Sequence, residues 1–325
     1  MTTLAILWSR ILVLTMTNMP MTASHPLQIS RVIAADIKLS HSIFALPFAL
    51  LAAFLVATRT GGSPDWLRFS GQLILIILAM ISARTVAMLA NRILDRKIDA
   101  ANPRTQNRAI PSGRLSLRDA VITLVGSALF FMVICLAFGI FFTNWWPLIL
   151  GLPVLAWIAA YPLLKRWTWA CHLYLGSALA LSPIAVAIAM NPDALMVLPA
   201  IWFIAAMVMC WVAGFDIIYA LQDESIDRSQ GISSIPAYFG ASKALWLSRI
   251  LHLFAIISLI IVAQIEPLFG ILFWIGTALV IALLVYEHIT IARWGTSRMA
   301  LAFFTLNGII SCVLGAMGII DTLIN

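Results

Sequence analysis

Nine long apolar segments constrain what this chain can fold into. A helix that crosses a bilayer needs about 20 predominantly apolar residues, and each segment has about that length. Polar or proline-bearing breaks separate neighbouring segments. The sequence therefore predicts an all-α integral membrane protein with nine spans, over residues 37–57, 71–91, 119–142, 145–164, 170–190, 197–221, 244–264, 268–289 and 300–320.

The composition excludes the soluble classes of protein. Of the 325 residues, 62% are apolar and only 10% are charged, whereas a soluble domain carries about 25% charged residues. A soluble enzyme, a disordered chain and a disulfide-stapled secreted module are therefore excluded. The net charge of +7 indicates basic loops on one side of a membrane, and no nucleic-acid partner is expected.

The distribution of basic residues predicts the orientation of the spans. The 92–118 loop holds seven Lys and Arg residues, and the 165–169, 222–243 and 290–299 loops hold two each. The loops near residues 144, 193 and 266 hold none, and only Arg59 and Arg68 oppose the trend. Because cytoplasmic loops are enriched in Lys and Arg, we expect a multi-pass protein of a bacterial-type inner membrane. Its N-terminus would lie inside, its C-terminus outside and the four basic loops in the cytoplasm.

The ends of the chain carry two smaller expectations. The apolar run 4–14 is interrupted by Arg10 and is too short to span, so residues 1–26 are expected to form an interfacial or disordered tail. Residues 27–325 are expected to form a single transmembrane domain. Glu287 and His288, at the end of the eighth predicted span, are expected at the membrane interface.

Polar residues form two stripes where predicted spans two and six emerge on the cytoplasmic side. The first acidic stripe is Asn91, Asp95 and Asp99, and the second acidic stripe is Asp216, Asp223 and Asp227. With about 100° between successive residues of an α-helix, the first set covers about 80° and the second about 40°. Each stripe is therefore predicted to form one face of one helix.

A solvated helix end would account for a single pair of carboxylates without any function. Carboxylates four residues apart repel each other unless a cation neutralises them, and Asp216 lies within an apolar run where ionisation is costly. Oxygen ligands without His or Cys suit Mg²⁺, which keeps water and phosphate ligands. We therefore predict that the two stripes bind Mg²⁺ and a diphosphate. Basic residues nearby are expected to neutralise the remaining phosphate charge, namely Arg96, Lys97, Arg104, Arg108 and Arg228.

A diphosphate site at the mouth of an apolar membrane cavity suits a substrate with an apolar tail and a diphosphate head. Polyprenyl diphosphates are that class. The expected partners are such a diphosphate, an acceptor for its chain and membrane lipid.

Three motifs in the chain resemble the UbiA superfamily of intramembrane aromatic prenyltransferases. NRILDRKID over 91–99 continues into NPRTQNRAIPSGR over 102–114, DIIYALQDESIDR covers 216–228, and YPLLKRWT covers 161–168. The resemblance extends over residues 30–320 and implies nine transmembrane helices around a lipid-accessible central cavity. The continuation of the first motif resembles the 4-hydroxybenzoate polyprenyltransferase branch.

The resemblance also implies roles for the matching residues. Metal binding would fall to Asp95, Asp99, Asp223 and Asp227, which together with Asp216 form the catalytic set of carboxylates. Asn91 would contact the Mg²⁺–diphosphate, and Arg96 would contact phosphate or acceptor. Arg166 or Lys165 would bind the acceptor's carboxylate, Arg166 as a bidentate fork; a general positive charge on a cytoplasmic loop is the alternative for both. Tyr219 would reach the same cavity or serve a structural role.

The implied reaction is the Mg²⁺-dependent transfer of a polyprenyl chain to 4-hydroxybenzoate, ortho to its hydroxyl, in ubiquinone biosynthesis. The proton-accepting base stays open between a carboxylate of the second acidic stripe and the released diphosphate. A close alternative acceptor is 1,4-dihydroxy-6-naphthoate, in the futalosine route to menaquinone. Two alternatives without this chemistry are a cation-coupled secondary transporter and a carrier of lipid diphosphates.

Overall fold

The computed structural model describes residues 26–36, 44–60 and 64–325. Every regular element within these ranges is helical. The expectation of a tail over 1–26 falls almost wholly outside the described residues. The helices in chain order are α1 Pro26–Asp36, α2 Leu46–Arg59, α3 Trp66–Ala101, α4 Leu117–Phe142, α5 Trp146–Leu164, α6 Cys171–Met190, α7 Ala194–Val197, α8 Pro199–Ala220, α9 Glu224–Ser229, α10 Ile235–Phe239, α11 Ala241–Ile265, α12 Ile271–Trp294 and α13 Asn307–Ile324.

Eight helical segments among the described residues are long and apolar enough to cross a membrane. They correspond to predicted spans two to nine, and α2, with 14 residues, overlaps the first predicted span. Residues 37–43 of that span lie outside the described residues. The all-α integral membrane fold is thus confirmed, although the described residues contain eight rather than nine spans of full length.

Helix α3 is the longest helix in the described part of the chain, with 36 residues. At about 1.5 Å per residue it measures about 54 Å, whereas the hydrocarbon core of a bilayer is about 30 Å thick. Asp65 caps its N-terminus by accepting hydrogen bonds from the backbone amides of Leu67 and Arg68. The helix stops before Asn102-Pro103, as expected for a residue that precedes proline. Its C-terminal third carries the whole first acidic stripe on one continuous helix, as predicted.

The second acidic stripe does not lie on one continuous helix, so that prediction was wrong. Helix α8 ends at Ala220, a 3₁₀ turn covers Leu221–Asp223, and α9 follows. The side-chain amide of Gln222 donates to the carbonyl oxygen of Tyr219 at 3.1 Å, an oxygen that a continuing α-helix would pair with the amide of Asp223. The 3₁₀ turn therefore changes the direction of the side chains that follow it relative to that of Asp216.

Helix α8 is the central helix of the bundle and packs between α6 and α11. Its side chains Ile201, Ile204 and Trp211 are fully buried. A β-carbon at Gly176 of α6 would collide with the carbonyl oxygen of Met209, so only glycine permits the close approach of α6 to α8. This approach brings the first turn of α6 to the end of α8 that carries Asp216.

Glu287 does not lie at the end of its helix, because α12 continues to Trp294. It is fully buried, and its Oε1 accepts a hydrogen bond of 3.0 Å from the side-chain amide of Asn307. The indole of Trp211 donates to Asn307 Oδ1 at 2.7 Å. This polar chain joins α8, α12 and α13, and no local sequence pattern indicates it.

Candidate active site

A cavity of about 950 Å³ lies between α3, α4, α5, α6 and α8. On α3 its lining runs from Ile76 to Asn91 and Arg92, a distance of about 22 Å along the helix. Most of the wall is apolar, but one end gathers five of the predicted site residues. These are Asn91, Arg104, Arg108, Asp216 and Tyr219.

In the first acidic stripe, each carboxylate is paired with a cation from another segment. Asp95 is almost completely buried and forms an ion pair with Lys165. Its Oδ1 accepts no hydrogen bond from the described residues, although Arg166 Nη2 lies 3.5 Å away. Arg108 Nη1 donates hydrogen bonds to both carboxylate oxygens of Asp99, at 2.7 Å to Oδ1 and 2.9 Å to Oδ2.

Asp223 of the second acidic stripe is held by the loop that follows α3. Arg104 pairs with both of its oxygens, and Asn102 Nδ2 donates to Oδ1 at 3.1 Å. Arg104 also donates to the Tyr219 hydroxyl at 2.9 Å and lies over the Tyr219 ring. Burial disfavours the charged guanidinium, but the bonds to Asp223 and Tyr219 outweigh it and raise the pKa of Arg104 above its ordinary value. Arg104 therefore stays charged and joins the loop after α3 to Asp223 and Tyr219.

Asp216 lies on α8, lines the cavity and pairs with a histidine. Its Oδ2 is 2.7 Å from His172 Nδ1, in the first turn of α6. Asp227, on α9, accepts through its backbone carbonyl a 2.8 Å hydrogen bond from the amide of Ile232.

The remaining predicted residues do not line the cavity, namely Asp95, Asp99, Asp223, Asp227, Arg96, Lys97, Lys165, Arg166 and Arg228. Arg96 and Arg166 line a separate pocket of about 490 Å³ together with Lys97. Arg166 also donates to the carbonyl oxygen of Leu94 at 2.7 Å. Arg228 is largely exposed and pairs with Glu224 at 3.0 Å. The structure thus pairs Asp95 with Lys165, Asp99 with Arg108 and Asp223 with Arg104, but it does not place the whole predicted basic set at the cavity.

Asp36, at the end of α1, is a site residue that the sequence did not predict. Its Oδ2 accepts from Arg92 Nε at 2.9 Å, and its Oδ1 accepts from the amide of Ala109 at 2.8 Å. Arg92 in turn donates to Asn91 Oδ1 at 3.1 Å. Asp36 therefore joins α1, α3 and the loop after α3 beside the first acidic stripe. An acidic residue directly before an apolar segment was the one signal available.

The described part of the chain contains no group of three His, Cys, Asp or Glu side chains close enough to hold a metal ion. Carboxylates of both stripes are instead paired with protein cations. The donor set still consists of carboxylate and amide oxygens, which suit a hard divalent cation. The geometry therefore fits a metal that binds together with an anionic ligand rather than one held by the protein alone.

A largely apolar cavity, lined at one end by Asp36, Asp216 and several arginines, defines a site for an amphiphilic anionic substrate. The sequence matches the UbiA prenyltransferase family over residues 45–317. It is 31% identical over 218 residues to a 4-hydroxybenzoate octaprenyltransferase of Vibrio vulnificus strain CMCP6, covering 65% of this chain and 69% of that protein. It is 30% identical over 225 residues to the 4-hydroxybenzoate octaprenyltransferase of Saccharophagus degradans strain 2-40, covering 68% of this chain and 69% of that protein.

The fold gives the same result. A UbiA homologue from Aeropyrum pernix K1 in its apo form has a TM-score of 0.73 and 30% identity, covering 87% of this chain and 98% of that one. A UbiA homologue from Archaeoglobus fulgidus bound to GPP and Mg²⁺ has a TM-score of 0.66 at 20% identity, covering 90% of this chain and 100% of that one. The chain belongs to the UbiA prenyltransferase family and is a prenyltransferase. This result favours the enzyme over the transporter and carrier alternatives.

Proposed function

We propose that this protein transfers a polyprenyl chain from polyprenyl diphosphate to the ring of 4-hydroxybenzoate, ortho to the hydroxyl, with Mg²⁺ and in ubiquinone biosynthesis. The observation that carries the proposal is the cavity, whose apolar wall ends at carboxylates and arginines. Its polarity complements an apolar chain with a diphosphate head. The relatives in Vibrio vulnificus and Saccharophagus degradans, both 4-hydroxybenzoate octaprenyltransferases, support the choice of acceptor.

The two stripes supply the metal-binding residues of the proposal. Asp95, Asp99, Asp223 and Asp227 would hold the metal, with Asn91 and Asp216 contacting the Mg²⁺–diphosphate from the cavity wall. The buried Asp95 Oδ1, which accepts no hydrogen bond from the described residues, is a ready oxygen ligand. When bound, Mg²⁺ would neutralise the diphosphate leaving group and so favour its departure.

Arg104 and Arg108 would exchange partners when the diphosphate binds. Both line the cavity, and each is paired with a carboxylate of a stripe. A guanidinium binds phosphate oxygens as well as carboxylate oxygens. Transfer of these two arginines to the diphosphate would free Asp223 and Asp99 for metal ligation, which couples the binding of metal and diphosphate.

The apolar wall has its own part in the reaction. Side chains such as Ile76, Phe138 and Ile188 line the cavity and would hold the prenyl chain away from water. An allylic cation that forms there is protected from hydrolysis, so the aromatic ring carbon is the nucleophile within reach.

The acceptor's carboxylate would bind Lys165 or Arg166. Both side chains lie beside Asp95, at the point where the first acidic stripe meets the short loop between α5 and α6. Arg96, which shares a pocket with Arg166, and the exposed Arg228 would add positive potential for an anionic substrate. We further propose that residues 27–325 form one domain of an inner-membrane protein whose basic loops face the cytoplasm.

The test is a prenyl-transfer assay on the full chain in membranes or detergent. Polyprenyl diphosphate is offered with labelled 4-hydroxybenzoate or labelled 1,4-dihydroxy-6-naphthoate, with Mg²⁺ or with EDTA. Mg²⁺-dependent prenylation of 4-hydroxybenzoate is the expected result. Product with the naphthoate alone would replace the acceptor and the pathway but keep the chemistry. No product with either acceptor would overturn the proposal.

A further inference from the structure

His172 lies beside the cavity without lining it. It is buried in the first turn of α6, whereas its partner Asp216 lines the cavity. His172 Nδ1 is 2.7 Å from Asp216 Oδ2, and the backbone amide of Ile235 donates to His172 Nε2 at 3.2 Å. Both ring nitrogens are therefore engaged by the protein itself.

The hydrogen bonds assign the tautomer of His172. A backbone amide is only a donor, so Nε2 accepts and the ring proton lies on Nδ1. Nδ1 then donates to the Asp216 carboxylate. Because neither nitrogen faces the cavity, His172 is not placed to exchange a proton with the substrate.

The hydrogen bond to Ile235 ties His172 to the 231–236 segment, which follows the second acidic stripe. Two further hydrogen bonds of 2.8 Å hold this segment: the amide of Ser233 donates to the carbonyl oxygen of Lys165, and the amide of Ile232 donates to that of Asp227. The segment therefore contacts the backbone at Lys165, the side chain at His172 and the end of the second acidic stripe. His172 extends this connection to Asp216.

We infer that His172 is a positioning residue that holds the Asp216 carboxylate toward the polar end of the cavity. His172 engages Oδ2 of Asp216, and Oδ1 is then the oxygen that would meet the Mg²⁺–diphosphate. The second acidic stripe is broken after Ala220, so helix geometry does not align Asp216 with Asp227. The hydrogen bond from His172 to Asp216 fixes the position of this carboxylate instead. The inference rests on the proposed function, from which Asp216 takes its role.

A pair of substitutions separates the two hydrogen bonds of His172. In His172→Asn the side-chain amide takes the place of Nδ1 and donates to Asp216, but it does not reach Ile235. In His172→Gln the longer side chain places an acceptor near Nε2 for the Ile235 amide, and the donor to Asp216 is lost. Full-length variants are compared for the binding of Mg²⁺ with inorganic pyrophosphate, by melting temperature and titration calorimetry, and for kcat and KM in prenyl transfer.

We expect His172→Asn to stay within about threefold of the unsubstituted protein in Mg²⁺–pyrophosphate affinity and in kcat. His172→Gln is expected to lose about 10- to 100-fold in both, the usual range for a residue that orients a metal ligand, with the KM for the aromatic acceptor unchanged. Adding Asp216→Asn to His172→Gln should then cause little further loss, because the two changes remove the same interaction.

Equal affinities of the Asn and Gln variants, or a greater loss in His172→Asn, would overturn the inference. If His172→Gln does not fold, the Asn variant decides alone: near-normal affinity supports the inference and a 10-fold loss contradicts it. The pyrophosphate measurement needs no prenyl transfer. A chain that binds Mg²⁺–pyrophosphate but prenylates neither acceptor would refute the proposed function and still test His172.

Discussion

The two acidic stripes look alike in the sequence but are built differently. The first lies on the unbroken helix α3, so a single helix sets the spacing of Asn91, Asp95 and Asp99. The second is divided between α8, a 3₁₀ turn and α9, and its carboxylates depend on contacts with other segments. Similar ligand sets can therefore be positioned by helix geometry in one case and by tertiary packing in the other.

The two stripes also differ in burial. Asp95 is about 1% exposed and pairs with Lys165, whereas the side chain of Asp223 is 14% exposed and receives both Arg104 and Asn102. A loss of one cation should therefore affect the two stripes unequally.

Removing one charge from either stripe should have the largest effect. Asp95→Asn and Asp223→Asn are each expected to lower kcat for prenyl transfer by about a hundredfold to a thousandfold, since each would remove a preorganised electrostatic interaction with the Mg²⁺–diphosphate. Glu224→Gln is the matched control, because Glu224 adjoins the second acidic stripe but pairs with the exposed Arg228. A variant of either stripe that keeps full activity would remove that carboxylate from the proposed site.

Removing the cation that pairs with a carboxylate of each stripe should lower the stability of the protein by different amounts. Lys165→Met leaves Asp95 buried beside the more distant Arg166, and breaking a buried pair costs about 3–5 kcal/mol. Asp223 is more exposed than Asp95 and would keep its hydrogen bond from Asn102 in Arg104→Met. We therefore expect a smaller loss of stability from this substitution. Melting temperatures in detergent measure the difference, with the exposed Lys97→Met as control. A larger drop for Arg104→Met would reverse the comparison.

The close contact between α6 and α8 should matter chiefly to the second acidic stripe. Gly176→Ala places a methyl group against the carbonyl oxygen of Met209, and overpacking of this kind costs about 1–3 kcal/mol. We expect a lower melting temperature and a weaker Mg²⁺–pyrophosphate affinity, because His172 moves away from Asp216. Gly126→Ala, whose added methyl group meets open space, should leave both unchanged. The prediction fails if the two variants behave alike.

The smallest effect is expected at Arg228. This residue is exposed and pairs with Glu224 within one turn of α9, and an exposed pair of this type contributes about 0.3–0.5 kcal/mol. Arg228→Gln should change kcat and the KM for polyprenyl diphosphate by less than about threefold. A tenfold rise in KM would show that α9 moves toward the diphosphate when substrate binds.

Much of the fold was accessible from the sequence because the relevant signals are local. The length and hydropathy of the apolar segments predicted the eight long helices that the structure shows between Trp66 and Ile324, but not the short helices α7, α9 and α10. The spacing of Asn91, Asp95 and Asp99 predicted that they share one helix. This prediction is confirmed, because α3 is continuous. The same rule failed for Asp216, Asp223 and Asp227, because a short 3₁₀ turn changes the angle between residues without a strong sequence signal.

What the sequence determined by itself is the all-helical membrane fold, the two acidic stripes and the resemblance to the prenyltransferase family. These properties reside in runs of neighbouring residues, where helical periodicity and apolar length act. Only the tertiary structure decided which cation meets which carboxylate. Arg104 reaches Asp223 and Lys165 reaches Asp95 across 119 and 70 residues of chain, and Glu287 is buried against Asn307. Such pairings depend on how the helices pack, as at Gly176 against Met209, and packing is a property of the whole chain.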